Sequence, residues 1–384
     1  MVERMIMCNT VMATRNNTTI SVCKALAIIG MVIGHADPPY KLLAFIYLWH
    51  MPLFFIASGY FFKKSYLTDE LTFIKKRIKA LYVPCVKWSL IILLLNPLFF
   101  WTGFLNEQYG NPDGGVTHPL NLRQGIQHAV GIIFTMSNYD VFLLSAFWFF
   151  RALLVGSIAY LVIFKLLTKI PFFRKHENIC LLTICAICML LAVLKYGHFK
   201  IRYWFIAQGG YRDIMCVFFM SIGYLFRKYE RFVSGRYWLM LPMFAILLWY
   251  TFNLHTSLTL TTKLHKVIWQ PYSAIAGFIF IYLLAQLIEK TQSYSWGKTI
   301  NRFLVFCGNN TIKIMIFHIF AYKVIALLQI AIYDLEWKQI GCHMVIQHPT
   351  TSQYWWVFYS IGGVAIPLFG TYLSQKIRCK SSSL

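Results

Sequence analysis

Ten long apolar stretches, separated by short segments rich in lysine and arginine, constrain this chain more than any other feature. A helix needs about 20 apolar residues to cross the ~30 Å hydrocarbon core of a bilayer. Charged residues make up only 13% of the chain, about half of the roughly 25% found in soluble domains, so lipid must solvate most of the surface. The sequence therefore predicts an all-α, polytopic membrane helix bundle that forms a single domain over residues 1–384. About ten transmembrane helices are expected, at residues 20–36, 42–62, 80–101, 141–166, 178–195, 211–227, 236–253, 267–289, 310–331 and 354–377.

The basic residues predict the orientation of this bundle. With the N-terminus in the cytoplasm, most of the lysines and arginines outside the spans lie on the cytoplasmic side, as the positive-inside rule requires. An even number of spans then places both termini in the cytoplasm, as a short N-terminal segment (1–19) and a tail (378–384). The first twenty residues lack a long apolar core before a small-residue cleavage site, so no signal peptide is expected. The weak point of this topology is the sequence GIIFTM (131–136), in the external segment 102–140, because it is apolar enough to enter the membrane.

Charge and cysteine content exclude two other classes of protein. The net charge of +23 does not indicate nucleic-acid binding, because the basic residues lie in the short loops where membrane topology already requires them. Cys185 and Cys188 form a CxxC sequence, but it lies within an apolar stretch that offers a metal or a redox dithiol no polar support. We therefore interpret the cysteines as small packing residues and expect no metal site.

Ionisable residues inside the predicted spans are functional candidates because they are costly in a bilayer. Lys24 and His35 lie eleven residues apart in the first span, which places them on one face of the helix, about 16 Å apart along its axis. In the predicted orientation Lys24 lies at the cytoplasmic mouth, where it can bind phosphate, and His35 lies deeper, where it can act as a general base. Asp37 is a candidate to orient the imidazole, although Pro38 and Pro39 end the helix beside it.

Both residues also have a structural interpretation. Lys24 can be a positive-inside anchor whose amine snorkels to the interface. His35 can be a polar residue at the outer end of the helix. Their position on a common face favours the functional interpretation of the pair.

The N-terminal sequence resembles a known family of membrane enzymes. KALAIIGMVIGHADPP (24–39) and FIYLWHMPLFFIASGYFFKK (45–64) are similar to the start of the acyltransferase family 3 proteins. The family signature of Arg or Lys, ten residues and then His is matched by Lys24 and His35, and its sequence H-x-P-L-F-F-x-x-S-G is matched by residues 50–59. The resemblance continues over the whole chain, in KKRIKALYVP (75–84), FWFFRALL (147–154) and CGNNTIKIMIFH (307–318).

This resemblance implies both an activity and the residues that perform it. It implies a multi-pass protein of the bacterial plasma membrane that moves an acyl group, usually acetyl, from acyl-CoA to a hydroxyl of a carbohydrate or another cell-envelope acceptor. Acetyl-CoA is then a substrate, and no tightly bound cofactor is expected. His35 is implied as the catalytic histidine and Lys24 as its basic partner near the donor. Because Lys cannot form the bidentate fork of Arg, we expect Arg77 or Lys76 to supplement it.

Further polar residues in the spans have less defined roles. Candidates for contacts with donor or acceptor are His50, Ser58, Arg77, Arg151 and His318. His318 lies about 140° around the helix from Lys313, so we expect His318 to point inward, with a supporting hydrogen bond or a direct role, and Lys313 to snorkel. Arg212 and Asp213 are expected to form a structural pair.

Two other functions remain open from the sequence. A transporter or flippase would suit a bundle with buried charges, but no inverted repeat is visible. A non-catalytic partner in polysaccharide assembly would retain the same fold.

Overall fold

A computed structural model describes residues 18–110, 118–137, 143–196, 210–258, 263–348 and 352–381. The predicted N-terminal segment 1–19 lies almost entirely outside these ranges, as do parts of the external segment 102–140. Within the described ranges the chain has no β-strand. Its fifteen α-helices there are α1 (Thr18–His35), α2 (Tyr40–Tyr47), α3 (His50–Tyr60), α4 (Glu70–Arg77), α5 (Val83–Trp101), α6 (Leu122–Thr135), α7 (Trp148–Thr168), α8 (Pro171–Lys175), α9 (Glu177–Tyr196), α10 (Tyr211–Tyr229), α11 (Met240–Asn253), α12 (Leu264–Lys290), α13 (Ser295–Asn309), α14 (Thr311–Tyr333) and α15 (Ser352–Ser381).

Each of the ten predicted spans overlaps a helix within the described residues, and the predicted start of the fourth span, at residues 141 and 142, lies outside them. Among the described residues, eight helical segments are long and apolar enough to cross a membrane: Thr18–His35, Tyr40–Tyr60, Glu70–Trp101, Ser145–Thr168, Glu177–Tyr196, Leu264–Ser293, Thr311–Tyr333 and Gln353–Ile377. The predicted spans 211–227 and 236–253 coincide with α10, which carries charged residues at both ends, and with the shorter apolar segment Tyr237–Asn253. The prediction of an all-α, multi-pass membrane bundle is confirmed, while the cytoplasmic placement of the termini stays a prediction.

Helix α1 lies at the centre of the bundle, in contact with α3, α12, α13, α14 and α15. A small residue on a neighbouring helix lets that helix approach α1 closely, as is common between membrane helices. A Cβ on Gly308 of α13 would lie only 1.9 Å from the carbonyl oxygen of Ser21. Helix α13 was not predicted from the sequence, because it is amphipathic and its apolar residues do not form a continuous stretch.

Helices α3 and α10 cross with their backbones in direct contact. A Cβ on Gly59 would lie 2.0 Å from the carbonyl oxygen of Met220, and a Cβ on Gly223 would lie 1.9 Å from that of Ile56. Only glycine fits at either position, so this crossing holds the two helices at a fixed separation.

Helix α6 runs antiparallel to α5. Near its start, the Leu120 amide donates to the Asn96 side chain at 3.5 Å. Near its end, the Tyr82 hydroxyl donates to the Ile133 carbonyl at 2.7 Å. With 14 residues, α6 is about 21 Å long, which is shorter than the ~30 Å hydrocarbon core. The residues of GIIFTM that α6 contains therefore lie alongside the third predicted span.

The connection between α14 and α15 folds back onto the bundle. The Lys323 ammonium donates to the carbonyls of Ile340 and Cys342, at 2.9 and 2.6 Å. The Trp337 indole donates to the Thr102 carbonyl at 3.0 Å. The bond of Trp337 fixes the connection against the end of α5. The two bonds of the buried Lys323 fix it against α14.

Candidate active site

His35 and His318 contact each other at the end of α1. His35 is the last residue of that helix and is half-buried, whereas His318 is completely buried in α14. Their atoms Nδ1 and Nε2 are 2.9 Å apart, and the two ring centroids are 5.2 Å apart. The structure thus joins two predicted site residues that are 283 positions apart in the chain.

The hydrogen bonds of His318 determine where the protons of this pair lie. Its Nδ1 is 2.8 Å from the Met315 carbonyl oxygen, which can only accept, so Nδ1 carries a hydrogen. In a neutral imidazole Nε2 then has no hydrogen and must accept from Nδ1–H of His35. A charged imidazolium would be costly in this buried position without an acidic partner. The assignment, made from the hydrogen-bond network, leaves Nε2 of His35 unprotonated and basic.

A small cavity of about 30 Å³ lies beside this pair, with room for one or two water molecules. His35, His50, Tyr47 and Trp148 contribute to its lining. The His50 Nδ1 is 2.9 Å from the Ile46 carbonyl oxygen, so by the same reasoning the Nε2 of His50 is also unprotonated. Two of the predicted histidines therefore line one cavity, each with a ring nitrogen able to accept a proton.

Two arginines and one aspartate lie behind the Trp148 wall of the cavity. The Arg212 guanidinium lies 3.9 Å above the centre of the Trp148 ring. Asp213 interacts electrostatically with both Arg151 and Arg212, and Arg151 is buried in α7 three residues after Trp148. Arg151 is not among the cavity-lining residues.

Ser58 and Arg77 form a second pair of predicted residues, away from the cavity. The Arg77 guanidinium donates to the Ser58 hydroxyl at 2.6 Å and lies 4.9 Å from the centre of the Phe73 ring. Ser58 is eight residues after His50 on α3, which is about 12 Å along the helix. Lys24 is half-buried on α1 and also does not line the cavity.

Helix α3 runs back along α1, which determines the relative positions of these groups. Gly34 lies against Tyr47, and Gly30 lies against His50. Later residues of α3 therefore approach earlier residues of α1, so Ser58 and Lys24 both lie toward the end of the bundle opposite His35.

Sequence reasoning offered a different partner for His35 and missed Tyr322, which also holds the site. Asp37 does not hold the imidazole of His35; it is exposed and in the left-handed conformation, with φ of 59°, and His318 takes that role. Tyr322 donates its hydroxyl to the Val32 carbonyl and packs edge-on against His318. Tyr322 could have been predicted as a neighbour of His318, because it lies four residues later on the same helix face.

A family model for an acyltransferase domain matches residues 17–372, nearly the whole chain. No curated protein and no solved structure matches the chain. The match, together with the multi-pass helical architecture, identifies a membrane acyltransferase. The chain belongs to the acyltransferase family 3.

Proposed function

We propose that this protein transfers an acetyl group from acetyl-CoA to a hydroxyl of a carbohydrate or another cell-envelope acceptor, with His35 as the general base. The observation that supports this most directly is the chain of hydrogen bonds from His35 through His318 to the Met315 carbonyl. It leaves one basic nitrogen, Nε2 of His35, beside a cavity. A positioned imidazole is the side chain best suited to take a proton near neutral pH.

The proton moves from the acceptor hydroxyl to Nε2 of His35 as the hydroxyl oxygen attacks the thioester carbonyl. The carbon–sulfur bond then breaks, and the CoA thiolate takes the proton from Nε2 of His35. One histidine serves as base and then as acid, so no acyl-enzyme intermediate is required. His318 does not exchange a proton in this scheme, because its Nε2 only accepts from His35.

His318 stabilises the imidazolium that forms on His35 during attack. A hydrogen bond strengthens when its donor becomes charged, so the His35–His318 bond is stronger in the transition state than before it. This is the kind of interaction that accelerates the chemical step.

The Arg212 cluster is a source of positive charge for the oxyanion of the tetrahedral intermediate. Two hydroxyls on α3 are less suitable, because Ser58 lies about 12 Å along the helix from His50 and the Tyr60 hydroxyl donates to Glu230 at 2.7 Å. Arg212 lies against Trp148, which itself lines the cavity. We therefore assign to Arg212 a long-range electrostatic contribution, transmitted in a medium of low dielectric constant.

Lys24 and Arg77 are proposed to bind the phosphates of the donor. Lys24 lies on the same face of α1 as His35, about 16 Å away, and Arg77 lies toward the same end of the bundle. A donor lying along α1 places its phosphates at these cations and its thioester at His35.

The test is acetyl transfer by the purified protein in proteoliposomes, with labelled acetyl-CoA and cell-envelope polysaccharide. We expect His35→Gln to lower the rate by about 100-fold or more, the range for loss of a general base. We expect Lys24→Met to raise KM for acetyl-CoA more than it lowers kcat. His265→Gln, at an exposed histidine of α12, is the matched control and retains the activity of the unmodified protein.

Undiminished transfer by His35→Gln would rule out this mechanism. Movement of the polysaccharide across the vesicle without acetylation would instead support a transporter. Failure of the unmodified protein to transfer acetyl, when a native membrane extract restores transfer, would support the non-catalytic partner.

A further inference from the structure

A second cavity lies between α5 and α6, neither of which lines the cavity at His35. Its volume of about 400 Å³ falls within the range of ligand sites in proteins. The walls are almost entirely apolar, with Leu90, Leu93 and Leu94 from α5 facing Leu122 and Ile126 from α6. We call it the α5–α6 groove.

The α5–α6 groove is open toward the surface that the bilayer covers. Leu94 is 79% exposed and Leu122 is 83% exposed. On α6 the lining positions 122, 125, 126 and 129 follow the spacing of a single helix face. This face of α6 is apolar, yet it is not buried against α5, so the protein itself leaves it to be covered by lipid.

One polar side chain in the groove lacks a hydrogen-bond partner. Asn96 is 1% exposed and lines the groove. Its carbonyl oxygen accepts the Leu120 amide, but its NH₂ group donates to no acceptor within the described part of the chain. A buried amide donor costs free energy when it is unpaired, and in hydrocarbon no water supplies an acceptor. The Asn96 amide therefore requires an acceptor that a ligand can supply.

The depth of Asn96 indicates what that acceptor is. Trp101, five residues later on α5, is highly exposed, and exposed tryptophan marks the membrane interface. Asn96 thus lies about 7.5 Å from Trp101 along the helix axis. This places it on the hydrocarbon side of the interface, near the ends of the acyl chains that join the headgroups. The groups with acceptor oxygens closest to this depth are the ester carbonyls of bilayer lipids.

A basic residue lies at the same end of the groove. Arg123 is exposed in the first turn of α6, next to Leu122. An exposed arginine at the interface attracts anionic lipid headgroups and binds their phosphate. The groove thus presents a cation and an amide donor at one end and an apolar wall beyond them, which complements the polar headgroup region and the acyl chain of a lipid.

We propose that the α5–α6 groove binds one glycerophospholipid of the surrounding bilayer, with an acyl chain between the helices, an ester carbonyl on the Asn96 amide and the phosphate near Arg123. The lipid completes the packing of α6, which the protein alone leaves with an uncovered face. This site is separate from the chemistry at His35 and does not depend on the proposed acetyl transfer.

Gly125 allows the groove to be filled without disturbing the fold. A Cβ at Gly125 would meet no atom within 4 Å, so Gly125→Leu extends into open groove space, and leucine favours helix over glycine. Gly370 on α15 is also surrounded by open space, so Gly370→Leu is the matched control. Asn96→Leu removes the amide donor while leaving the groove apolar.

The experiment is photo-crosslinking of the full-length protein in detergent with a phosphatidylglycerol that carries a diazirine in its acyl chain, followed by peptide mapping. We expect saturable labelling of residues 90–97 and 122–129 in the unmodified protein and in Gly370→Leu. Labelling there should fall at least tenfold in Gly125→Leu. Asn96→Leu should raise the lipid concentration needed for half-maximal labelling about two- to twelvefold, as expected for the loss of one net hydrogen bond of roughly 0.5–1.5 kcal/mol.

Several results would overturn the proposal. Equal labelling of Gly125→Leu and Gly370→Leu would show that the groove is not the site. Non-saturable labelling spread over the whole lipid-facing surface would show bulk lipid only. Stronger competition by a polyprenyl phosphate than by unlabelled phosphatidylglycerol would assign the groove to a different lipid. Unchanged melting temperature in Gly125→Leu confirms that lost labelling reflects the filled groove rather than misfolding.

Discussion

The hydrogen bond between His35 and His318 can be tested with variants of His318 that keep either its hydrogen-bond acceptor or only its volume. In His318→Gln the side-chain oxygen can occupy the position of Nε2 and still accept from Nδ1–H of His35. In His318→Leu the volume remains but the acceptor is lost. If His318 acts on His35 as an acceptor, only the leucine variant should lose most of its activity.

The size of the loss follows from the observed bond. At 2.9 Å the His35–His318 contact is a normal hydrogen bond, and it becomes charge-assisted when His35 takes the proton. Hydrogen bonds to charged groups contribute about 1.5–3 kcal/mol. With tenfold in rate for each 1.36 kcal/mol, His318→Leu should lower kcat by roughly 10- to 150-fold, with little change in KM for acetyl-CoA.

The assay is acetyl transfer from labelled acetyl-CoA to cell-envelope polysaccharide in proteoliposomes, at saturating and at limiting donor concentration. Melting temperatures of all variants are measured in parallel, because His318 is completely buried. Equal activity of the leucine and glutamine variants, both folded, would refute the acceptor role. A rise in KM at constant kcat would place His318 in donor binding instead.

Two further predictions concern packing that the structure shows directly. Gly223→Ala should destabilise the protein by about 1–3 kcal/mol, because the new Cβ would lie 1.9 Å from the Ile56 carbonyl oxygen. The control Gly125→Ala should not destabilise it, because the space around Gly125 is open. Equal melting temperatures of the two variants would contradict the close crossing of α3 and α10. Lys323→Met removes the donor to the Ile340 and Cys342 carbonyls, so chymotrypsin should cleave the connection between α14 and α15 faster than in the exposed control Lys338→Met. A cleavage rate equal to that of the control would show that Lys323 does not hold this connection.

The helices of this protein were predictable because a membrane imposes a simple rule on sequence. Each span must be apolar over enough residues to cross the hydrocarbon core, and each of the ten predicted spans overlaps a helix in the described part of the chain. The position of Lys24 and His35 on one face followed from helix geometry within a single element. Helix α13 escaped prediction because its residues alternate between buried and exposed faces, and the rule for spans does not apply to such a segment.

The candidate site was predictable only in part, because its decisive contact joins two distant elements. His35 and His318 are each recognisable as histidines in apolar stretches, but their contact depends on how α14 packs against α1. Asp37 was the nearest acidic residue in sequence, yet the left-handed turn at the end of α1 leaves it exposed. Sequence neighbours are poor guides to the partner of a residue at a helix end, where the chain changes direction.

A neutral histidine as the partner of His35 has a physical reason in a membrane protein. A carboxylate would stabilise the imidazolium more strongly, but the resting enzyme would then hold a negative charge in a site of low dielectric constant, with a large desolvation cost. His318 fixes the tautomer of His35 through its own bond to the Met315 carbonyl and carries no charge between turnovers. The charged groups Arg151, Arg212 and Asp213 lie instead behind Trp148, where they neutralise one another in part. In the proposed mechanism, the bilayer thus favours a resting site at His35 that is uncharged and becomes charged only while the acyl group is being transferred.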